Sequence, residues 1–269
     1  MLRELIAWPS HNRFWQSVAI ALAAIAQIVT AGLPGWLHLG QSVATRSLLA
    51  SHPLVPLGPA FAIWGLIYAW MLVAAIWQAW PSQRFNRALE DAGWNMAGIM
   101  LINAIWQVWV PINGFDWLSS VLVASALCLG VSGLMRLRAN DMLSRMDSLL
   151  VFAPLALVTG WLTCACVVNF TSELVANGYD LNPVRTGVSL GFLLALIAFG
   201  GVIVYVTESV AYSAALVWGL SWVALGNIYR DHEPAMVTTA VIGVMAVAVT
   251  CVFALTHRHH GDPMQLRGS

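Results

Sequence analysis

The chain has 269 residues, of which 59% are hydrophobic and only 9% charged, with twelve basic and twelve acidic side chains and a mean hydropathy of +0.76. A water-facing surface cannot be built from so little charge, so the chain reads as an integral membrane protein whose partner is the lipid bilayer, with no nucleic-acid partner expected. All twelve basic residues are arginine, which excludes a retinal or pyridoxal Schiff base and the lysine of a phosphate-binding loop.

A helix needs about 20 apolar residues to cross a hydrocarbon layer about 30 Å thick. Eight such stretches are predicted, at about 16–36, 59–80, 94–110, 117–135, 148–170, 187–206, 210–228 and 235–255. The first is expected to be retained, because it is too long for a cleavable signal and no small-residue cleavage site leads into a soluble chain. Between the first two spans, residues 38–58 form the longest connection, carrying His38, Gly40, His52, Pro53, Pro56 and Gly58. The remaining connections are short enough to make neighbouring helices antiparallel.

Arginines at span ends set orientation. Arg3, Arg13, Arg84, Arg87, Arg136, Arg138, Arg145, Arg258 and Arg267 fall on one side, and Arg46, Arg185 and Arg230 on the other. Both termini are therefore expected in the cytoplasm, with the 38–58 loop on the opposite face. Arg136, Arg138, Arg145, Asp141 and Asp147 read as a polar cytoplasmic loop. No charged residue is expected well inside a span, the nearest being Glu208 between spans six and seven, so the usual equipment of a proton pump or ion-coupled carrier is missing.

Cys128, Cys164, Cys166 and Cys251 all lie inside spans and read as packing residues. Cys164 and Cys166 point about 200° apart on a helix, a poor metal pair. His257, His259 and His260 read as a solvated tail. No metal is expected. Gly187, Gly191 and Ala195 make a small-residue stripe at the start of span six that permits close docking of the added helices or of another subunit, so a homo-oligomer is possible.

Of the fourteen tryptophans, Trp36, Trp80, Trp94, Trp109 and Trp117 fit the interfacial belt of a membrane protein. Trp64 and Trp161 lie deeper. At 1.5 Å per residue Trp64 sits roughly 8 Å into span two, with Tyr68 and Met71 on its face, and Trp161 roughly 13 Å from the same end of span five. Asn103, Trp106, Gln107 and Val110 form one stripe of span three, and Pro154, Val158, Trp161, Ala165 and Asn169 one stripe of span five. Aromatic faces and uncharged amides from three helices at one depth describe a pocket for a large, planar, mainly apolar ligand. Trp64, Tyr68, Asn103, Trp106, Gln107, Trp161, Ala165 and Asn169 are the candidate ligand-binding residues. No catalytic residue is assigned.

The run from Pro59 through Trp64 and Tyr68 to Met71 resembles the second-helix signature of the TspO/MBR family, the tryptophan-rich sensory or translocator proteins. Asn103 to Trp106 resembles its third-helix Asn-x-x-Trp, and Pro154, Trp161, Ala165 and Asn169 its fifth-helix pattern, the likeness covering roughly residues 14 to 177. Val108-Trp109 stands where that family has a phenylalanine pair. The resemblance implies an all-α integral membrane protein, with a five-helix bundle over 1–177 and three additional helices plus a short tail over 178–269. It implies a pocket beneath the first loop that binds porphyrins or related tetrapyrroles as ligands, with no cofactor required. The role implied is a membrane sensor or receptor; transport of such ligands and light-dependent porphyrin breakdown are the alternatives. A bacterial inner membrane is the location implied.

Overall fold

The computed structural model of the chain describes residues 11–139, 143–179 and 185–260, the side chains of 11, 12, 185 and 258–260 excepted. Expectations resting on Arg3, Asp141 and Arg267, and on the side chains of Arg185, Arg258, His259 and His260, lie outside what is described. Among the described residues, eight helices are long and apolar enough to span a membrane. They are α1 (His11–Trp36), α2 (Ile63–Gln78), α3 (Arg87–Asn113), α4 (Trp117–Arg138), α5 (Ala153–Ala176), α6 (Arg185–Thr207), α7 (Val210–Gly226) and α8 (Pro234–His260). This is an all-α integral membrane protein.

Helix ends are set by polar caps rather than by the limits of the apolar runs. The Asn86 side chain accepts the Leu89 N–H at 3.1 Å and starts α3 one turn before its apolar stretch, so Arg87, Glu90 and Asp91 are helical. Gly114, at φ +86°, ends the same helix in a conformation that costs glycine little. Asp116 and Ser119 form a reciprocal capping box at the start of α4, and Ser209 caps α7 through the Tyr212 N–H. A π-helical turn, Ser148–Phe152, leads into α5, and another, Asn227–Asp231, extends α7.

In the bundle α3 lies between α1 and α4, α5 between α4 and α7, and α8 between α6 and α7, while α2 packs on α1 and α5. One apolar core runs through all of these layers, from Ile20 and Met100 through Leu155 and Trp161 to Tyr212, Leu216 and Met236. It therefore continues across the expected boundary near residue 178. The junction between α5 and α7 is close because Gly160 has no Cβ: one placed there would stand 2.6 Å from the Tyr212 carbonyl oxygen. Just below, the Thr163 and Tyr212 hydroxyls share a hydrogen bond of 2.7 Å.

Three expectations are corrected. The Gly187 and Gly191 positions face open space, so the small-residue stripe does not dock the added helices. That work falls to Gly160, Gly200, Gly219 and Gly243, where an added Cβ would collide with a neighbouring helix. Glu173 belongs to the last turn of α5, because that helix runs on to Ala176, and its carboxylate accepts a hydrogen bond from Ser120. His257 lies tilted against Phe253 with ring centroids 4.1 Å apart, since α8 continues helical past 255.

The 37–57 loop crosses one end of the bundle, reaching the ends of α3, α5 and α7. Its short helix, Val43–Leu49, is capped by Ser42. At the opposite end Arg13 bonds the Gln83 carbonyl, and Arg138 pairs with Glu208 at 2.9 Å. Trp36, Trp80, Trp94 and Trp117 are exposed on the outside of the bundle. Trp109 instead turns its N–H to the Asp116 carboxylate, 3.0 Å away.

Candidate binding cavity beneath the loop

A cavity lies under the 37–57 loop. Its floor and sides come from Trp64 of α2, Trp106 of α3, and Trp161, Cys164, Ala165, Val168 and Asn169 of α5, with Phe61 from the turn before α2. Val43, Ser47 and Pro56 of the loop roof it, joined by Phe115 of the α3–α4 turn. Gly219 and Val223 of α7 close the remaining side. The space between its walls, open mouth included, comes to about 510 Å³, but room for water-sized molecules is only about 40 Å³, so the walls stand close together. A smaller chamber, with room for water-sized molecules of about 20 Å³, shares Trp64, Trp106 and Ala165 with the first and adds Asn103, Ile102, Val123, Ala126 and Leu162.

The indoles are fixed by one another. Trp64 stacks on Tyr68, centroids 5.4 Å apart, and meets Trp161 edge to face at 6.2 Å; Phe61 meets Trp161 the same way at 6.2 Å. Such offset and T-shaped contacts suit the ring quadrupole. Trp161 is only 3% exposed, and its N–H has no acceptor among the described residues. A buried donor left unpaired costs about 1–3 kcal/mol.

Trp106 is held differently. Its N–H donates to the Asn169 amide oxygen at 2.9 Å, and the Asn169 NH2 donates to the Ser119 and Ser120 hydroxyls, both at 3.0 Å. Ser119 spends its own proton on the Asp116 carbonyl and Ser120 spends its on Glu173. Neither serine can therefore donate to Asn169, which forces the amide oxygen to face the indole. The chain Glu173, Ser120, Asn169, Trp106 thus links the lid end of the bundle to the cavity wall.

A second polar set ties α1, α2 and α3. The Tyr68 hydroxyl donates to Gln107 Oε1 at 2.7 Å and accepts from Asn103 Nδ2 at 3.4 Å, while Gln107 Nε2 donates to the Gln27 carbonyl at 3.2 Å. Trp64, Trp106, Trp161, Ala165 and Asn169 are thus brought to the main cavity, and Asn103 to the adjoining chamber. Tyr68 and Gln107 line neither of these two spaces; they brace the wall behind Trp64. The Asn103 and Gln107 amides expected to meet a ligand are already bonded within the protein, because burial in an apolar bundle leaves them no other partner.

Sequence reading missed Phe61, Cys164, Val168, the loop residues and all of α7. Phe61 and Cys164 had a readable signal, each lying three residues from a cavity tryptophan in a helical turn. Gly219 and Val223 had none, since only the packing of α7 on α5 brings them in.

Fold and site together define a helical membrane protein with an aromatic, loop-covered cavity inside the bundle. A family model described as TSPO-like protein matches residues 14–253. The chain belongs to that family, and the match runs past residue 177 to take in α6, α7 and most of α8. No curated protein and no solved structure matches the chain.

Proposed function

We propose that this protein is a membrane receptor or sensor that binds a large, flat, mainly apolar molecule of the tetrapyrrole class in the cavity beneath the 37–57 loop. One observation carries the reading: indoles from α2, α3 and α5 converge on one cavity whose lining is almost wholly apolar. Flat π faces give a planar ligand stacking area without asking it to surrender charge. Lining side chains include no carboxylate, histidine or arginine, so binding rather than acid–base chemistry is the role they support. Family resemblance supports a bacterial inner membrane as the location, and the arginine distribution supports both termini in the cytoplasm.

Protoporphyrin titrated in the dark into the purified protein tests this. Binding is expected to quench tryptophan fluorescence, and Trp64→Phe combined with Trp161→Phe to weaken affinity roughly tenfold, the order of two lost aromatic contacts. Equal affinity in the double variant would remove the cavity assignment.

A further inference from the structure

The cavity as it stands is too narrow for a flat ligand of that size, so something must move. The roof is attached toward α3 and toward α7, and between the two His52 Nε2 lies 3.0 Å from the Ser172 hydroxyl of α5. Toward α3, Gln41 donates its N–H to the Pro111 carbonyl at 2.9 Å and Arg46 reaches the Pro111 and Ile112 carbonyls, each at 3.0 Å. Gly40 presses on the same carbonyl: a Cβ there would lie 2.0 Å from it, which makes this attachment a tight one.

Toward α7 the attachment brackets Pro56, the roof residue nearest that helix. Arg230 donates to the Val55 carbonyl at 2.7 Å, the Leu57 N–H donates to the Trp222 carbonyl at 3.3 Å, and Asn227 donates to the Pro53 carbonyl at 2.7 Å. Trp218 adds a bond to the Ala60 carbonyl at 2.9 Å. All three side-chain donors belong to α7 or its terminal π turn, and all reach backbone carbonyls. The same helix supplies Gly219 and Val223 to the cavity wall.

We propose that α7 controls access to the cavity: its Arg230 and Asn227 latch the 53–57 segment closed, and release of that latch, with the α3 side as hinge, admits and frees the ligand. The proposal rests on the reading of the cavity as the binding site. Arg230 is suited to the part because its guanidinium also pairs with Asp231 at 2.6 Å, which aims it at the loop, where the same amino group reaches the Val55 carbonyl at 2.7 Å and the His52 carbonyl at 3.4 Å. The latch is built from backbone carbonyls of the loop, so its strength does not depend on which side chains the loop carries.

Ser47 lies inside the roof, 3% exposed, and offers a reporter that needs no ligand. In a background with the four native cysteines replaced by alanine, Ser47→Cys is labelled with a charged methanethiosulfonate in detergent. Arg230→Met is expected to raise the labelling rate about tenfold, the factor for losing one charge-assisted hydrogen bond of the closed state. Asn227→Ala is expected to raise it severalfold and serves if Arg230→Met fails to fold; Arg230→Lys is expected to restore part of the closure. With bound protoporphyrin, association and dissociation should both quicken. Labelling rates equal to the parent in Arg230→Met and Asn227→Ala would overturn the latch while leaving the binding reading intact. Absence of porphyrin binding with faster labelling would do the reverse.

Discussion

Trp106 of α3 donates its indole N–H to the side-chain oxygen of Asn169 on α5, at 2.9 Å. The bond joins two walls of the cavity through a group buried to 98%, and it fixes which edge of the indole faces inward. Replacing Asn169 with leucine leaves the Trp106 N–H without an acceptor and takes a donor from both serines. A loss of about 1–3 kcal/mol is expected, larger than the roughly 0.6 kcal/mol typical of an interhelical bond between polar groups in membranes, because several partners are orphaned together. Thermal unfolding in detergent, followed by tryptophan fluorescence, checks it.

Gly160 and Gly191 separate packing from mere helical smallness. At Gly160 the obstacle is the Tyr212 backbone carbonyl, 2.6 Å from an added Cβ, which cannot swing aside; at Gly191 an added Cβ meets nothing. Gly160→Ala is expected to destabilise the protein by about 1–3 kcal/mol, while Gly191→Ala leaves the unfolding midpoint unchanged or slightly raised. Equal midpoints for the two variants would contradict the α5–α7 junction described here.

Gly219 faces a softer neighbour. A Cβ there would lie 2.6 Å from the Cys164 sulfur, a small side chain that substitution can remove. Gly219→Ala alone is expected to lower stability by about 1–2 kcal/mol, and Gly219→Ala with Cys164→Ala to recover most of it. A double-mutant cycle of melting midpoints measures the recovery; additive losses would show that the two residues do not meet.

Tyr68 braces the wall without lining the cavity. Tyr68→Phe keeps the ring stacked on Trp64 but removes the bond to Gln107. Stability is expected to fall by about 1 kcal/mol, with porphyrin affinity changed less than about twofold, given that the stacking ring remains. A large affinity loss at unchanged stability would put the hydroxyl in contact with the ligand.

Much of this was written locally. Apolar length alone gave eight spans, and helical spacing alone set Trp64, Trp106, Trp161, Ala165 and Asn169 on faces that do meet at one cavity. What spacing did not show has one cause. Gly187 and Gly191 looked like a docking stripe because small residues recur there, yet α6 packs by its other face, through Leu193, Leu196 and Gly200. That Asn103 and Gln107 bond Tyr68 and the Gln27 carbonyl is likewise out of reach of one-dimensional spacing, which cannot tell which partner a buried amide has found.

Membrane residence and helix number were decided by the sequence itself, since burial of backbone polar groups in lipid leaves a run of twenty apolar residues no alternative to a helix. The closure of the cavity was decided only in three dimensions. Asn227 meets the Pro53 carbonyl across 174 residues of chain, and any residue can offer a backbone carbonyl, so no side-chain pattern in the loop marks where α7 will take hold.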